Sequence, residues 1–225
     1  MNPSLQEPVN IAVVDYGMGN RRSVEKALEH IGARASVSSD PARLREAAGL
    51  VVPGVGSFPR AMERLSELGL DELLSERVAS GVPVLGVCLG LQLAFESSTE
   101  HGGAAGLGIL DGEVRELETR GRKLPHIGWN EVHFRRASPL VAGLPERCSF
   151  YHVHSFAPVP ANDGDVLGLA EYGAQFVSAV QHNSFYGVQF HPEKSSGAGL
   201  RLLANFARIC SASPALSHAG AQAPR

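Results

Sequence analysis

Residues 83–92, PVLGVCLGLQ, constrain the fold most, because an apolar run changes there from strand-like to helix-like at a cysteine between two glycines. Gly86 and Gly90 each stand two residues from Cys88, which is the spacing of a nucleophile elbow. In such an elbow a strand turns sharply into a helix, and the close backbone leaves no room for side chains at the flanking positions. The N–H groups at the start of that helix, beginning at Leu89, would favour a thiolate. The segment predicts a reactive thiol on an α/β sheet.

A histidine and a glutamate near the end of the chain can complete the site. His191 and Glu193 stand two residues apart in FHPE, so on an extended chain both side chains point the same way and the carboxylate can orient the imidazole. Taken singly, a free cysteine is more often a buried hydrophobe, and a lone glutamate is most often a solvated surface residue. Together with the elbow glycines, the three residues predict a catalytic triad of Cys88, His191 and Glu193.

Composition narrows the class of protein. The chain has 225 residues, of which 44% are hydrophobic, so it can bury one sizeable core. We expect one domain over residues 11–210, a flexible extension at 1–10 and a disordered tail at 211–225. The formal net charge of −3 provides no basic field for nucleic acid or a membrane surface. Three widely spaced cysteines and the lack of a signal-peptide pattern lead us to expect a cytoplasmic protein.

Strand-like and helix-like segments alternate through the first half of the chain. The strand-like runs lie at residues 11–16, 33–38, 50–52 and 84–87, with helical spacing between them. This alternation predicts an α/β fold with an open, largely parallel central sheet and helices on both faces. From residue 106 onward, strand-like runs follow one another with little helix, which predicts a β-rich second half. That half could form an added antiparallel layer or extend the central sheet.

A thiolate with a histidine beside it attacks a carbonyl carbon, and the oxyanion that forms needs hydrogen-bond donors. One candidate is the N–H of Leu89, directly after the nucleophile. The others are the N–H groups of Gly54 and Val55 in the loop PGVG, which without Cys88 would be interpreted as a plain turn. His152 and His154 have the spacing of a metal-binding HxH pair, but no further ligand set accompanies them. We therefore expect no metal and no cofactor.

Six motifs resemble a known family. GVCLGLQ at residues 86–92 together with GVQFHPEKS at 187–195 is similar to the class I, triad-type glutamine amidotransferases. Within that family, four further strings resemble the glutaminase subunit of imidazole glycerol phosphate synthase: DYGMGN at 15–20, PGVGSF at 53–58, PHIGWNEV at 125–132 and YHVHSF at 151–156. The resemblance covers about residues 11–210. It implies a flavodoxin-like sheet with the added β-rich half.

The resemblance also implies an activity and a partner. Glutamine would be hydrolysed to glutamate and ammonia through a thioester on Cys88. The ammonia would pass to a (β/α)-barrel cyclase subunit in a heterodimer, which makes imidazole glycerol phosphate and aminoimidazole carboxamide ribotide in histidine biosynthesis. Family members are thought to hold the oxyanion loop misarranged until the cyclase binds its ligand, which implies low glutaminase activity for the isolated subunit.

By position, the resemblance assigns further residues. Gln92, Glu100 and the backbone of Ser155 and Phe156 would hold glutamine. The cyclase interface and the ammonia entrance would include five residues: Asn20, Trp129, Asn130, Tyr151 and Lys194. The family more often has phenylalanine at position 152 and tyrosine at position 156, which leaves the roles of those two side chains open.

Three other interpretations remain at this point. The same chemistry could serve anthranilate or aminodeoxychorismate synthase, although the string PHIGWN argues against that. The chain could be a non-catalytic binding or regulatory module, which the intact triad disfavours. It could also be a cysteine peptidase or another thiol hydrolase on a related α/β fold.

Overall fold

The computed structural model describes residues 8–213. Within them lie six α-helices: α1 Arg21–His30, α2 Pro41–Glu46, α3 Phe58–Glu67, α4 Leu70–Ala79, α5 Leu89–Gln92 and α6 Ser196–Ala212. The same residues form thirteen strands: β1 Asn10–Val14, β2 Arg34–Ser38, β3 Gly49–Gly54, β4 Val84–Cys88, β5 Phe95–Ser98, β6 Ala104–Ala105, β7 Leu110–Glu116, β8 His126–Phe134, β9 Arg147–His154, β10 Phe156–Pro160, β11 Val166–Tyr172, β12 Ala174–His182 and β13 Phe185–Val188.

A nine-stranded sheet in the order β2-β1-β3-β4-β13-β12-β11-β8-β9 forms the centre of the protein. The strands from β2 to β13 pair in parallel, and those from β13 to β9 pair antiparallel. A separate four-stranded sheet has the order β10-β7-β5-β6. The predicted α/β class is confirmed, and the β-rich half realises both alternatives, because some of its strands extend the central sheet and others form the second sheet.

Helices cover both faces of the parallel strands. Residues alternate along β3, so Val51 belongs to one apolar cluster, with residues of α1 and α6, whereas Leu50 and Val52 belong to the other, with residues of α3 and α4. All residues of β3 and β4 are buried, as expected for strands covered on both sides. These two strands thereby hold their carboxyl ends, which carry the predicted site, in a rigid frame.

Local signals set several element boundaries. Asp40 caps α2, because its carboxylate accepts a hydrogen bond from the Ala42 N–H at 3.0 Å, and Pro41 occupies the first helical position. Gly32 has a positive φ of +91° two residues beyond the end of α1. Both boundaries are therefore set by residues that favour a helix terminus.

The predicted terminal segments fall largely outside the described residues, since 1–7 and 214–225 are not described. Strand β1 already begins at Asn10, and α6 continues to Ala212, two residues beyond the predicted end of the domain. Among the helices within residues 8–213, none combines the length and the apolar character needed to cross a membrane.

The elbow glycines allow unusually close backbone contact. A Cβ added at Gly90 would lie 1.8 Å from the Val52 carbonyl oxygen, and one at Gly86 would lie 2.5 Å from the Gly90 carbonyl oxygen. Real side chains do not approach backbone atoms so closely. The sequence therefore needs glycine at both positions for α5 to begin directly on the sheet.

Gly90→Ala should lower the free energy of unfolding by about 3 kcal/mol, because the new methyl group overlaps the backbone of β3. Denaturant or thermal unfolding measures the effect. Gly197→Ala is the matched control, since a Cβ there meets no atom within 4 Å, and its effect should stay within about 1 kcal/mol. Equal stability of the two variants would contradict the close packing of the elbow.

Candidate active site

Cys88 is the last residue of β4 and directly precedes α5. Its backbone has φ of +55° and ψ of −108°, a conformation that residues other than glycine rarely adopt. The close contacts at Gly86 and Gly90 hold this strained turn in place. The thiol is therefore presented at the carboxyl end of a parallel strand, where α/β proteins commonly bind ligands.

His191 and Glu193 come from the neighbouring strand end. Strand β13 pairs in parallel with β4, with Val188 opposite Val87, so the segments that follow both strands emerge at the same edge of the sheet. The His191 Nδ1 lies 3.0 Å from the Glu193 Oε1, and both side chains are almost fully buried. Because a carboxylate accepts, Nδ1 carries the hydrogen and Nε2 is the nitrogen available for chemistry.

The backbone around His191 is also fixed. Its N–H donates to the Tyr151 carbonyl at 2.9 Å, and the Ser195 hydroxyl donates to the His191 carbonyl at 2.6 Å. The same hydroxyl accepts a hydrogen bond from the Tyr151 N–H at 3.0 Å. The turn that carries His191 and Glu193 is thus joined to β9 on the other side of the site.

Two buried atoms of this pair lack hydrogen-bond partners among the described residues: His191 Nε2 and Glu193 Oε2. Burial lowers the pKa of His191, but the Cys88 sulfur and the Glu193 carboxylate beside the ring outweigh that effect and raise the pKa to about 9. The sulfur therefore affects the ring although the His191 Nε2 has no hydrogen-bond partner among the described residues. The raised pKa favours the protonated form of the His191 ring at neutral pH.

A cavity of about 220 Å³ opens in front of Cys88. Predicted site residues form much of its wall: Val55, Leu89, Gln92, Glu100, Ser155 and Phe156. A larger cavity of about 570 Å³ lies beside Pro83, Tyr186 and the end of α6, and its lining contains none of the predicted site residues. The smaller cavity is therefore the one that brings the thiol together with candidate binding groups.

Gln92 has a fixed orientation in the wall of the cavity. Its Nε2 donates to the Phe156 carbonyl at 2.9 Å and to the Gln189 Oε1 at 3.0 Å. Since a backbone carbonyl can only accept, the amide nitrogen must face Phe156. The Gln92 side-chain oxygen receives no hydrogen bond from the described residues and remains available to a ligand.

Glu100 approaches the cavity from a turn after β5. Its Oε2 accepts a hydrogen bond from the Phe58 N–H at 2.7 Å, at the first residue of α3. The positive end of that helix favours a negative charge there. Glu100 therefore presents a carboxylate at the cavity wall while it caps a helix.

The Phe156 peptide is oriented by its neighbours. Its carbonyl oxygen accepts from the His154 Nδ1 and the Gln92 Nε2, both at 2.9 Å, so both lone pairs are occupied. Phe156 faces Glu116 of β7 at a pair that exchanges no hydrogen bonds, since the ladder bond runs from the Leu117 N–H to the Ser155 carbonyl. The N–H of Phe156, rather than its carbonyl, is therefore the group that this strand leaves for a ligand.

The candidate oxyanion donors adjoin the thiol. Gly54 is paired with Cys88 in the ladder between β3 and β4, and Leu89 is the first residue of α5. Val55 is 45% exposed at the rim of the cavity. The Tyr16 hydroxyl donates to the Pro53 carbonyl at 2.7 Å and fixes the start of this loop.

The predicted interface residues occupy different surfaces. The outer face of β8 and β9 includes Ile127, Trp129, Tyr151 and Val153, with Ile127 59% exposed and Trp129 54% exposed. Trp129 and Tyr151 lie opposite each other, with ring centroids 6.2 Å apart. Lys194 is exposed in the turn after His191, and Asn20 is half-buried before α1.

Asn130 is on the opposite, inner face of β8, where its Nδ2 donates to the Glu171 carbonyl at 2.9 Å. The outer face therefore brings together Trp129 and Tyr151 but not Asn130.

Sequence reasoning missed Gln189 and His126. The Gln189 Nε2 lies 3.6 Å from the Cys88 sulfur, and the His126 Nδ1 lies 3.0 Å from the His154 Nε2. Gln189 is the polar residue of the string GVQF and stands two residues before His191, which is a signal that could have placed it beside the site. His152 and His154 lie on the inner face of β9, yet no group of three or more side chains that could hold a metal ion is found within residues 8–213.

The family model and similar curated proteins agree on one family, the glutamine amidotransferases. Residues 12–210 match the family model described as glutamine amidotransferase class-I. The imidazole glycerol phosphate synthase subunit HisH of Aquifex aeolicus is 50% identical over 197 residues, which cover 87% of this chain and 95% of that protein. The subunit of the same name from Moorella thermoacetica is 48% identical over 199 residues, which cover 88% and 94%.

Solved structures share the fold at lower identity. The structure of PurLQS from Thermotoga maritima has a TM-score of 0.71 at 17% identity and covers 89% of this chain and 98% of that chain. A crystal structure of a glutamine amidotransferase has a TM-score of 0.68 at 22% identity, with coverage of 89% and 98%. At these identities the likeness concerns the fold alone.

The raised pKa of His191 has a measurable consequence. Its folded-state pKa of about 9 exceeds the value of about 6.5 expected in the unfolded chain. The resulting stabilisation should be complete below about pH 6.5 and should be lost as the pH rises through about 9. NMR titration of the His191 ring should show this midpoint, and Cys88→Ala should lower it because the sulfur is removed.

Cys148→Ala is the matched control, since Cys148 is not among the groups that act on His191. A wild-type midpoint below about 7 would contradict a ring pKa raised by the neighbouring sulfur and carboxylate.

Proposed function

Because the chain belongs to the class I glutamine amidotransferases, and within them to the glutaminase subunits of imidazole glycerol phosphate synthase, we propose that it releases ammonia from glutamine through a thioester on Cys88. The observation that carries the proposal is the cavity of about 220 Å³, which combines the thiol with polar groups suited to a free amino acid. Cys88, His191 and Glu193 would be the catalytic residues. Gln92, Glu100 and the backbone of Ser155 and Phe156 would hold the substrate.

The polar groups of the cavity complement the two ends of glutamine. The Glu100 carboxylate and the Gln92 side-chain oxygen can accept hydrogen bonds from the α-ammonium group. The unpaired N–H of Phe156 can donate to the α-carboxylate. Such contacts would orient the side-chain amide toward the Cys88 sulfur, where reaction requires close and aligned approach.

The catalytic cycle would begin with Cys88 as a thiolate and His191 as an imidazolium. The Cys88 thiolate attacks the amide carbon, and the negative charge moves to the carbonyl oxygen, which the N–H of Leu89 and those of Gly54 and Val55 would stabilise. The His191 imidazolium gives its Nε2 proton to the amide nitrogen, and ammonia leaves. A water molecule then gives a proton to Nε2 and attacks the thioester. Glutamate departs as Cys88 returns to the thiolate and His191 to the imidazolium.

Glu193 supports both halves of this cycle. Its hydrogen bond to His191 Nδ1 keeps Nε2 directed at the reaction and stabilises the charged ring. Since the pair is buried, this stabilisation is weakly screened by solvent.

The ammonia would be used by a second subunit. In neutral water ammonia is mostly protonated and has no lone pair for attack, so a shielded route preserves its reactivity. We infer a heterodimer with a (β/α)-barrel cyclase, which would use the ammonia to form imidazole glycerol phosphate and aminoimidazole carboxamide ribotide. The glutaminase activity of the isolated subunit is then expected to be low, and both subunits are expected to act in the cytoplasm.

The outer face of β8 and β9 is the surface best suited to that partner. Val153 belongs to this face and also lines the cavity in front of Cys88. A protein seated on Trp129 and Tyr151 would therefore lie beside the opening of the cavity, where it could receive ammonia. Lys194, close to His191 in the chain, is exposed to such a partner.

Cys88→Ala should abolish glutamine-dependent synthesis by the complex but preserve synthesis from added ammonium salts, because the acceptor chemistry lies on the other subunit. Product formation with each nitrogen source distinguishes the two activities. Cys148→Ala should retain both. Loss of the ammonium-dependent reaction in an assembled Cys88→Ala complex would count against the division of labour.

His191→Ala should be about as damaging to glutamine hydrolysis as Cys88→Ala, and the double variant should be little worse than either, because the members of a triad act as a unit. Glutamate release in the activated complex is the measurement. A double variant whose loss equals the product of the two single losses would show that the residues act independently.

Trp129→Ala should weaken association with the cyclase by about 2 kcal/mol, or about thirty-fold in Kd, because a large aromatic anchor is lost. Titration calorimetry measures the affinity. Val159→Ala is the control, since Val159 is also an exposed apolar residue, at 47%, but lies on β10 of the other sheet. Equal affinity of both variants would place the partner elsewhere.

A further inference from the structure

A one-directional chain of hydrogen bonds runs from Asn130 through His126 to His154, which is itself part of the cavity wall. The His154 Nδ1 lies 2.9 Å from the Phe156 carbonyl, which can only accept, so Nδ1 carries a hydrogen. In a neutral ring Nε2 is then an acceptor, and the His126 Nδ1 at 3.0 Å must donate to it. The remaining His126 nitrogen, Nε2, accepts from the Asn130 Nδ2 at 3.4 Å. The tautomers of both rings are thereby determined.

Both rings are buried, and their surroundings keep them uncharged. Burial lowers the pKa of His154 to about 3, and His126 and His191 add to this effect although the bond to Phe156 opposes it. Burial, together with Arg122, also lowers the pKa of His126. A proton added to either ring would turn an acceptor nitrogen into a donor and break the chain.

The chain ends on groups of the substrate cavity. The Phe156 carbonyl receives His154 on one lone pair and the Gln92 Nε2 on the other. Gln92 gives its second hydrogen to Gln189, and Gln189 in turn donates toward the Cys88 sulfur at 3.6 Å. The same set of bonds therefore orients the Phe156 peptide, the Gln92 amide and a neighbour of the nucleophile.

We propose that His154 is a positioning residue for glutamine: its neutral ring, oriented by His126, fixes the Phe156 peptide and the Gln92 amide against which the substrate binds. The inference rests on the proposed glutaminase function and adds to it a residue that does not exchange protons with the substrate. His154 acts through Phe156 and Gln92, so its loss should impair recognition of glutamine more than the reactivity of the thiol.

His152 provides a matched comparison on the same strand. It lies on the same inner face of β9 and is also buried, but its Nδ1 donates to the Phe150 carbonyl at 3.0 Å and its Nε2 lies 2.9 Å from the Ser178 hydroxyl. It makes no hydrogen bond to Phe156. The His152 ring packs beside those of His126 and His154, so its replacement removes a buried histidine from the same cluster but no hydrogen bond of the proposed chain.

Two alkylating reagents measure separately how well the full-length protein recognises glutamine and how reactive its Cys88 thiol is. With a chloroketone analogue of glutamine or with iodoacetamide, the Cys88 sulfur displaces a halide and forms a thioether, but only the first reagent carries the α-ammonium and α-carboxylate groups. The second-order rate constant for the chloroketone divided by that for iodoacetamide measures recognition of the glutamine end groups. His154→Phe should lower this ratio at least about five-fold, the effect of one hydrogen bond, with the iodoacetamide rate unchanged within about two-fold.

His152→Phe should leave the ratio unchanged, and His154→Asn should retain most of it, because the asparagine amide can place an N–H near the position of the ring Nδ1. Equal ratios for His154→Phe and His152→Phe would overturn the proposal. Should the phenylalanine variant fail to fold, His154→Asn and His154→Gln are compared instead. If both of these variants retain the wild-type ratio, or if both lose it, the proposal is also overturned.

The wild-type protein tests the underlying function separately. It should react faster with the chloroketone than with iodoacetamide. No such preference would reject glutamine as the substrate and, with it, the role of His154. If the wild type prefers the chloroketone and His154→Phe shows the same preference, only the positioning role is rejected.

Discussion

The parallel ladder between β4 and β13 is the constraint on which the site depends. It aligns Val87 with Val188 and so delivers Cys88, the last residue of β4, and His191, three residues beyond β13, to one edge of the sheet. The ladder tolerates little change, because a Cβ at Gly187 would lie 2.3 Å from a methyl group of Leu91. Close packing of α5 therefore constrains both strands. The placement of Cys88 beside the segment that carries His191 is a consequence of how tightly α5 packs on these two strands.

The buried polar side-chain atoms at this edge of the sheet are not all hydrogen-bonded. The inner face of β8 and β9 satisfies its buried histidines through carbonyls, hydroxyls and one another. By contrast, three buried side-chain atoms lack a partner within residues 8–213, and two of them are His191 Nε2 and Glu193 Oε2. An unsatisfied buried polar atom costs about 1–3 kcal/mol. Such a cost is retained where a reacting group needs the atom free.

The parts of the site that could be predicted from sequence are those encoded by short spacings. Two glycines around Cys88 specify a turn, and an i, i+2 pair specifies that His191 and Glu193 share a direction. The alternation of strands and helices likewise predicted the parallel half of the sheet. The order of the antiparallel strands could not be predicted, because pairing between distant segments leaves no periodic signal in either of them.

Other features of the site depend on contacts between segments that are distant in the sequence, so a local sequence pattern does not predict them. Asn130 and Trp129 are adjacent in the sequence, yet adjacent residues of a strand face opposite ways, and only the structure shows which face is covered. The donor and acceptor roles of His126 and His154 depend on a carbonyl from the next strand, so no property of the isolated string YHVHSF predicts them. Tautomers are set by partners in space.

The exposed position of Trp129 has a practical consequence. It is the only tryptophan of the chain, and about half of its surface is open to solvent on the outer face of β8 and β9. Its intrinsic fluorescence therefore originates from a single known place, without contributions from a buried second indole. The emission of this subunit is a built-in optical probe of whatever covers that face, and it requires no dye, tag or engineered label.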